Sequence, residues 1–199
     1  MRSPVLRALN LASAVTLLGV LCGGAGLVGA ATGRKLLMLC AVALAMLTDY
    51  LDGKVARRLG QSSDFGAQLD SLSDAQSFVL VPALALNVSM PGTGSVIIGG
   101  LYLLCGISRL AAFHSAGIQL VRGRECFYGV PTSTGGAAFL LASALAPWCG
   151  AWLVQVVLLA MAPLMISGVA YPKRGAHEIL CTAAAVIAIL LEVVRTFVQ

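Results

Sequence analysis

Charge is scarce in this chain. Of its 199 residues only 11% are Asp, Glu, Lys or Arg, whereas 59% are apolar. Soluble domains carry about a quarter of their residues charged, so a solvated globular fold is excluded. Histidine is nearly absent. His114 and His177 stand alone and far apart, which excludes a His-based metal site. The six cysteines, Cys22, Cys40, Cys105, Cys126, Cys149 and Cys181, form no C-x-x-C pair and fall mostly in apolar runs. They read as small core residues rather than ligands or disulfide partners. The net charge is +5. Its basic residues sit in short groups between apolar runs and form no stripe, so nucleic acid is excluded as a partner.

What is present in abundance is hydrocarbon. Apolar runs occupy 8–31, 36–50, 75–90, 95–118, 129–149, 151–170 and 177–198. A bilayer core needs about 20 apolar residues of helix to cross it. The second and third runs reach that length only if their helices continue into the polar segment between them. The runs are continuous rather than alternating, which excludes a β-barrel. The expectation is an all-α polytopic integral membrane protein, a single domain over 1–199. It has six to eight transmembrane helices, with seven the best count. The first run has a signal-peptide outline, with Arg2 and Arg7 ahead of it and Val28-Gly29-Ala30 as a weak cleavage site. It is longer than an h-region of about 7–15 residues, so we expect a retained first span. Gly19 and Gly23 within it make a small-xxx-small pair suited to close helix packing.

If the spans alternate, Arg2 and Arg7, Lys54, Arg57 and Arg58, Arg122 and Arg124, and Lys173 and Arg174 all fall on one side. The positive-inside rule makes that side cytosolic, and we expect a cell (inner) membrane protein. Arg34 and Lys35 break the pattern from the first outer loop.

Two short motifs mislead. Gly24, Gly26 and Gly29 match G-x-G-x-x-G, with Asp49 at the spacing of a dinucleotide fingerprint. No strand or βαβ unit surrounds them, and without that context the pattern carries no nucleotide site. Asp64 to Gly66 spells the kinase DFG with no other kinase element present.

The acids are few and gathered. Of eight, five lie between 49 and 74: Asp49, Asp52, Asp64, Asp70 and Asp74. A carboxylate costs on the order of 2.5–3.5 kcal/mol at mid-bilayer, and carboxylates gathered near a membrane repel one another. Asp49 and Asp52 are three residues apart and Asp70 and Asp74 four, so each pair shares a helix face. Gly53, Gly60, Gly66 and Ser62-Ser63 lie between and read as one helix ending, a turn and the next beginning. Two antiparallel helices would then oppose four carboxylates. Hard oxygen ligands with no His or thiolate suit Mg²⁺, Mn²⁺ or Ca²⁺, and four carboxylates can hold one or two such ions. Arg57 is close enough to serve a phosphate. Asp64, Lys54 and Arg58 read as solvated loop charges.

This stretch resembles the signature of the CDP-alcohol phosphatidyltransferases, D-x-x-D-G-x-x-A-R, eight or nine residues, then G-x-x-x-D-x-x-x-D. Asp49, Asp52, Gly53, Ala56, Arg57, Gly66, Asp70 and Asp74 fill every fixed position, with eight residues in the gap. The resemblance implies transfer of a phosphatidyl group from a CDP-linked lipid to a small alcohol, with release of CMP, at a site of two Mg²⁺ or Mn²⁺ ions. It implies Asp49, Asp70 and Asp74 as metal ligands, with Asp52 completing the first metal's site beside the CDP-lipid. Asp74 falls at the general-base position. Gly53, Ala56 and Gly66 fall at positions lining the cytidine pocket, and Arg57 at the pyrophosphate. Relatives also imply a homodimer.

The acceptor shows outside the signature. Leu69 to Ala83, "LDSLSDAQSFVLVPA", is similar to the serine-using branch, although Val79 and Ser73 replace Gly and Ala. "SRLAAFH" (108–114) and "FYGVPTSTGG" (127–136) are similar to further segments of that branch. The expected substrates are CDP-diacylglycerol and L-serine. A serine carboxylate or lipid phosphate calls for a cation, and Arg109, Arg122 and Arg124 are the candidates. No Ser, Cys or His near the motif is placed as a nucleophile, which favours direct displacement. The alternatives are the same chemistry with glycerol 3-phosphate or an inositol phosphate, and a cation transporter or channel. A cation path has no use for Arg57 and the small-residue pocket.

Overall fold

A computed structural model describes residues 9–116, 119–121, 124–172 and 175–198. The side chains of 114, 116, 119–121, 124–127, 170–172, 175–178 and 198 lie outside that description. Among the described residues the chain forms seven helical rods. The first two are α1 (Leu11–Ala31) and α2 (Lys35–Leu59). The third, 64–89, is built of α3 (Asp64–Asp74), a π-helical turn (Ala75–Leu80) and α4 (Val81–Ser89). Then follow α5 (Thr93–Ala116), α6 (Thr132–Cys149), α7 (Trp152–Met165) and α8 (Gly175–Val198). Leu11–Ala31, Lys35–Leu59, Thr93–Phe113 and Ile179–Phe197 are each long and apolar enough to cross a bilayer, and Trp152–Met165 is a shorter apolar helix. The all-α membrane architecture agrees with the sequence, and the seven rods match the expected number of helices, four of them long and apolar enough to span by themselves. As expected, the second and third rods gain their length by running into the polar segment.

The surface is that of a protein solvated by lipid. Leu21, Leu72, Leu104, Leu180 and Phe197 are exposed, while the interior mixes large side chains with small ones such as Gly19, Gly23 and Ala45. In hydrocarbon, burying an apolar side chain against another helix brings no hydrophobic gain, so close packing takes over. A Cβ on Gly19 would sit 2.9 Å from Thr48 Oγ1, and one on Gly23 would sit 2.5 Å from Ser77 Oγ. The small pair in α1 thus lets α2 and the third rod approach it. The core is Leu39, Val42, Phe78, Val79, Tyr102, Phe139 and Leu140 with their neighbours.

One feature is absent from the expectation. A three-stranded antiparallel sheet joins β1 (Gln119–Val121), β2 (Arg124–Tyr128) and β3 (Ala170–Pro172). Tyr128 pairs with Ala170 and Cys126 with both Gln119 and Pro172. These strands belong to the α5–α6 and α7–α8 connections. Their pairing places both connections at one end of the bundle, as alternating spans require.

Candidate active site

The signature folds locally as its residue types dictate. α2 ends where Gly60 adopts φ 62, a left-handed conformation that a Cβ disfavours. Ser63 then caps α3, its Oγ accepting from Gly66 N at 3.1 Å. Asp64 sits exposed in the first turn of α3, facing the positive helix end. A second tie fixes α1 to this turn. Asn10 caps α1 by accepting from Ser13 N at 2.8 Å, and its Nδ2 donates to Gln61 O at 3.2 Å.

The turn brings α2 and the third rod alongside one another with their acidic faces together. One carboxylate oxygen from each of Asp49, Asp70 and Asp74 falls within 4.8 Å of the others. The Asp49 and Asp70 carboxyl groups lie within reach of one another, so that a shared proton or a cation would link them. Asp52 stands outside this trio. It is 7% exposed, takes a hydrogen bond from Thr16, and lies close enough to interact with Asp70 and Asp74. Asp52 Oδ2 and Asp70 Oδ1 are buried and have no hydrogen-bond partner.

Two cations face the acids. Arg109, 9% exposed, projects from α5 towards Asp74 and Asp49, its Cζ 5.3 Å from the Phe113 ring centroid. Arg57 interacts with Asp52, and its guanidinium lies across Gly53, where an added Cβ would be 3.3 Å from Nη1. With every carboxylate ionised, four negative charges meet two positive ones. The site keeps two excess negative charges and orphaned carboxylate oxygens in a low-dielectric setting. Those residues fit divalent cations: hard oxygens, several at once, no soft ligand.

Beside the trio opens a cavity of about 170 Å³. Asp52, Gly53, Ala56, Arg57, Gly66 and Asp70 line it, so every residue expected at the CDP-lipid lies on one wall system. Ser13 and Thr16 of α1 and Gln61 of the turn also line it. Sequence reasoning missed these, because nothing local in α1 marks the face that meets a turn some fifty residues on.

Thr132 was also missed. Its Oγ1 donates to Asp74 Oδ2 at 3.3 Å, and the residue is 1% exposed. Its placement follows from the loop before it. Gly129 has φ 78 and its N donates to Val169 O at 3.0 Å, while Val130 N donates to Leu164 O at 3.0 Å. A Cβ at Gly129 would collide with the backbone of Met165. The loop is therefore stapled to the end of α7, and α6 starts with Thr132 against Asp74. The only available signal was its place in the "FYGVPTSTGG" segment.

The π-turn follows directly on Asp74. A widened turn leaves backbone carbonyls to be satisfied from outside the helix, and Tyr102 Oη donates to Phe78 O at 3.0 Å. Of the remaining candidates, Arg122 lies outside the described residues. Arg124 is in β2 with its side chain undescribed. Five cysteines are free thiols and form no cluster, while Cys126 has no described side chain.

Comparison with known proteins agrees with this geometry. The chain is 31% identical over 202 residues to the CDP-diacylglycerol–serine O-phosphatidyltransferase of Mycobacterium tuberculosis, covering 89% of this chain and 71% of the relative. It is 39% identical over 131 residues to the enzyme of that name from Methanocaldococcus jannaschii, covering 65% of this chain and 61% of the relative. It is 34% identical over 134 residues to the archaetidylserine synthase of Methanothermobacter thermautotrophicus, covering 65% and 55%. Residues 9–195, nearly the whole chain, match the family described as CDP-alcohol phosphatidyltransferase, and the chain belongs to that family.

Proposed function

We propose that this membrane enzyme transfers the phosphatidyl group of CDP-diacylglycerol to the hydroxyl of L-serine and releases CMP. The observation that carries the reading is one juxtaposition. Three carboxylates converge, and one of them, Asp70, also lines a cavity whose walls include Asp52, Gly53, Ala56, Arg57 and Gly66. A cation channel has no need of that second half.

The roles follow from position. Arg57 holds the pyrophosphate, with Gly53, Ala56 and Gly66 leaving room for cytidine and ribose. Asp49, Asp70 and Asp74 would hold divalent cations, and Asp52 would complete the site on the pocket side. The family is divalent-metal dependent, and paired Mg²⁺ or Mn²⁺ would neutralise charge on the attacking and leaving oxygens. Arg109 attracts the serine carboxylate or the lipid phosphate. The serine oxygen attacks the phosphorus that bears the diacylglycerol. A new P–O bond forms there and the P–O bond to CMP breaks. The hydroxyl proton passes to the Asp74 carboxylate, which Thr132 holds in orientation. This reading takes the transfer as a single displacement, with the serine oxygen attacking the phosphorus directly.

The aspartate end faces the cytosol of a cell (inner) membrane. Supporting this, Lys54, Arg57 and Arg58 lie at that end, as do both sheet-forming connections. The lipid tails stay among the exposed leucines while the headgroup reaches the site. The homodimer implied by the resemblance belongs to this reading. Cross-linking in native membranes, with monomer alone as the contrary result, tests it.

The deciding experiment is an acceptor screen. Purified protein with CDP-diacylglycerol and Mn²⁺ or Mg²⁺ is expected to release CMP and form phosphatidylserine from labelled serine. CMP release with glycerol 3-phosphate or an inositol phosphate, and none with serine, would replace the acceptor while keeping the family.

A further inference from the structure

At the end of the bundle away from the aspartates lies a second group of charges, built on one buried acid. Glu192 of α8 is 2% exposed. Its Oε1 is 2.6 Å from Arg195 Nη2. Its Oε2 is 2.8 Å from Nζ of Lys35 at the start of α2, an ion pair whose approach is too oblique for a hydrogen bond. Among the described residues, one carboxylate therefore serves two cations, and one positive charge is left over at the rim of an apolar bundle. Arg195 Nε is buried with no hydrogen-bond partner.

These cations open onto a cavity of about 290 Å³. Lys35 and Arg195 line one side, Ser89 and Ser143 add hydroxyls, and Met38 and Phe139 supply apolar wall. Glu192 sits behind the cations rather than on the lining. The cavity therefore presents two positive side chains and two hydroxyls to an occupant, backed by hydrocarbon. The helix starting at Lys35 and the rod ending at Ser89 carry the catalytic aspartates at their other ends.

We infer that this cavity binds the phosphate of an anionic phospholipid headgroup from the leaflet opposite the active site. Charge complementarity points to a phosphodiester monoanion, which would cancel the excess charge and accept from Arg195, Lys35 and the hydroxyls. The apolar wall and the site's position at a bundle end favour a lipid over a soluble anion. Lys35, which breaks the positive-inside pattern, is accounted for by this pairing.

The test uses the full chain in phosphatidylcholine nanodiscs, with phosphatidylglycerol titrated in and binding read by thermal shift. Saturable stabilisation is expected. It should weaken at least tenfold in Arg195→Gln and in Ser89→Glu, and be unchanged in Arg57→Gln, which reports any binding at the active site. Ser89 is exposed at a helix end, so its variant folds even where Arg195→Gln does not. Equal phosphatidylglycerol binding by wild type, Arg195→Gln and Ser89→Glu would overturn the inference. So would loss of the effect only in Arg57→Gln. Stabilisation of the wild type by millimolar inorganic phosphate in phosphatidylcholine alone, lost in Ser89→Glu, would overturn the lipid as the source.

Discussion

The two ends of this bundle both hold charge in an apolar frame, and they balance it differently. At the Lys35 end one buried acid meets two bases at 2.6 and 2.8 Å. The balance is made within the protein, and the small surplus is positive. At the aspartate end four acids meet Arg57 and Arg109, and the surplus is negative and larger. Buried oxygens of Asp52 and Asp70 lack donors there. The Glu192 triad ties α2 to α8, with Arg195 Nε left unpartnered. A carboxylate cluster without donors is unstable by itself and would be stabilised by divalent cations. Within one chain, the two ends differ in the sign and size of the charge left unbalanced, and so in the kind of ion each would attract.

That contrast can be broken at several points. The largest effect belongs to the carboxylates. Asp70→Asn or Asp74→Asn should lower CMP release on the order of a thousandfold or more, since the metal site and the base are lost. Asp64→Asn, exposed in the first turn of α3, should stay within about twofold, as surface substitutions do. Near-normal turnover in the first two variants would remove the catalytic reading. Next, chelation with EDTA should silence the enzyme, and Mn²⁺ or Mg²⁺ should restore it. Activity that survives exhaustive chelation would contradict the cation role.

Third, Arg57→Ala should raise KM for CDP-diacylglycerol by about tenfold to a hundredfold, as expected for loss of a charge-assisted phosphate contact. Serine KM should change less, and the reverse pattern would relocate Arg57. Fourth, Glu192→Gln should destabilise the fold with little direct effect on chemistry. Breaking a buried pair costs about 3–5 kcal/mol, and the partial exposure of Lys35 and Arg195 (28% and 30%) trims this to about 2 kcal/mol. A lower unfolding midpoint in detergent checks it, and an unchanged midpoint would show the triad to be idle. The smallest effect is Thr132→Val. Loss of one hydrogen bond to Asp74 should cost about 1 kcal/mol, or roughly fivefold in kcat. Serine KM should be largely spared, and a KM effect alone would move Thr132 from the base to the acceptor.

Much of this was legible beforehand because the deciding information was local. The apolar runs, the three- and four-residue spacing of the aspartates, and the Gly60 and Ser63 punctuation each act within a few turns of chain. The trio of Asp49, Asp70 and Asp74 is the direct product of two such spacings joined by a short turn. The small sheet was not legible. Its strands are three, five and three residues long, too short for a periodic signal. Thr132 meets Asp74 across 58 positions, and no pattern in either segment announces the other.

By itself, then, the sequence determined the solvent this protein lives in, the helical form of its spans, and the acidic face that each of two helices presents. Those are consequences of composition and of a 3.6-residue period, and they need no knowledge of distant chain. Only the tertiary structure decided which charges would be neutralised. It set Glu192 against Lys35 and Arg195, Arg109 against Asp74 and Asp49, and left Asp52 and Asp70 with oxygens to spare. Coulomb interactions in a low-dielectric interior depend on separations of a few ångströms, and those separations exist only once the helices have packed.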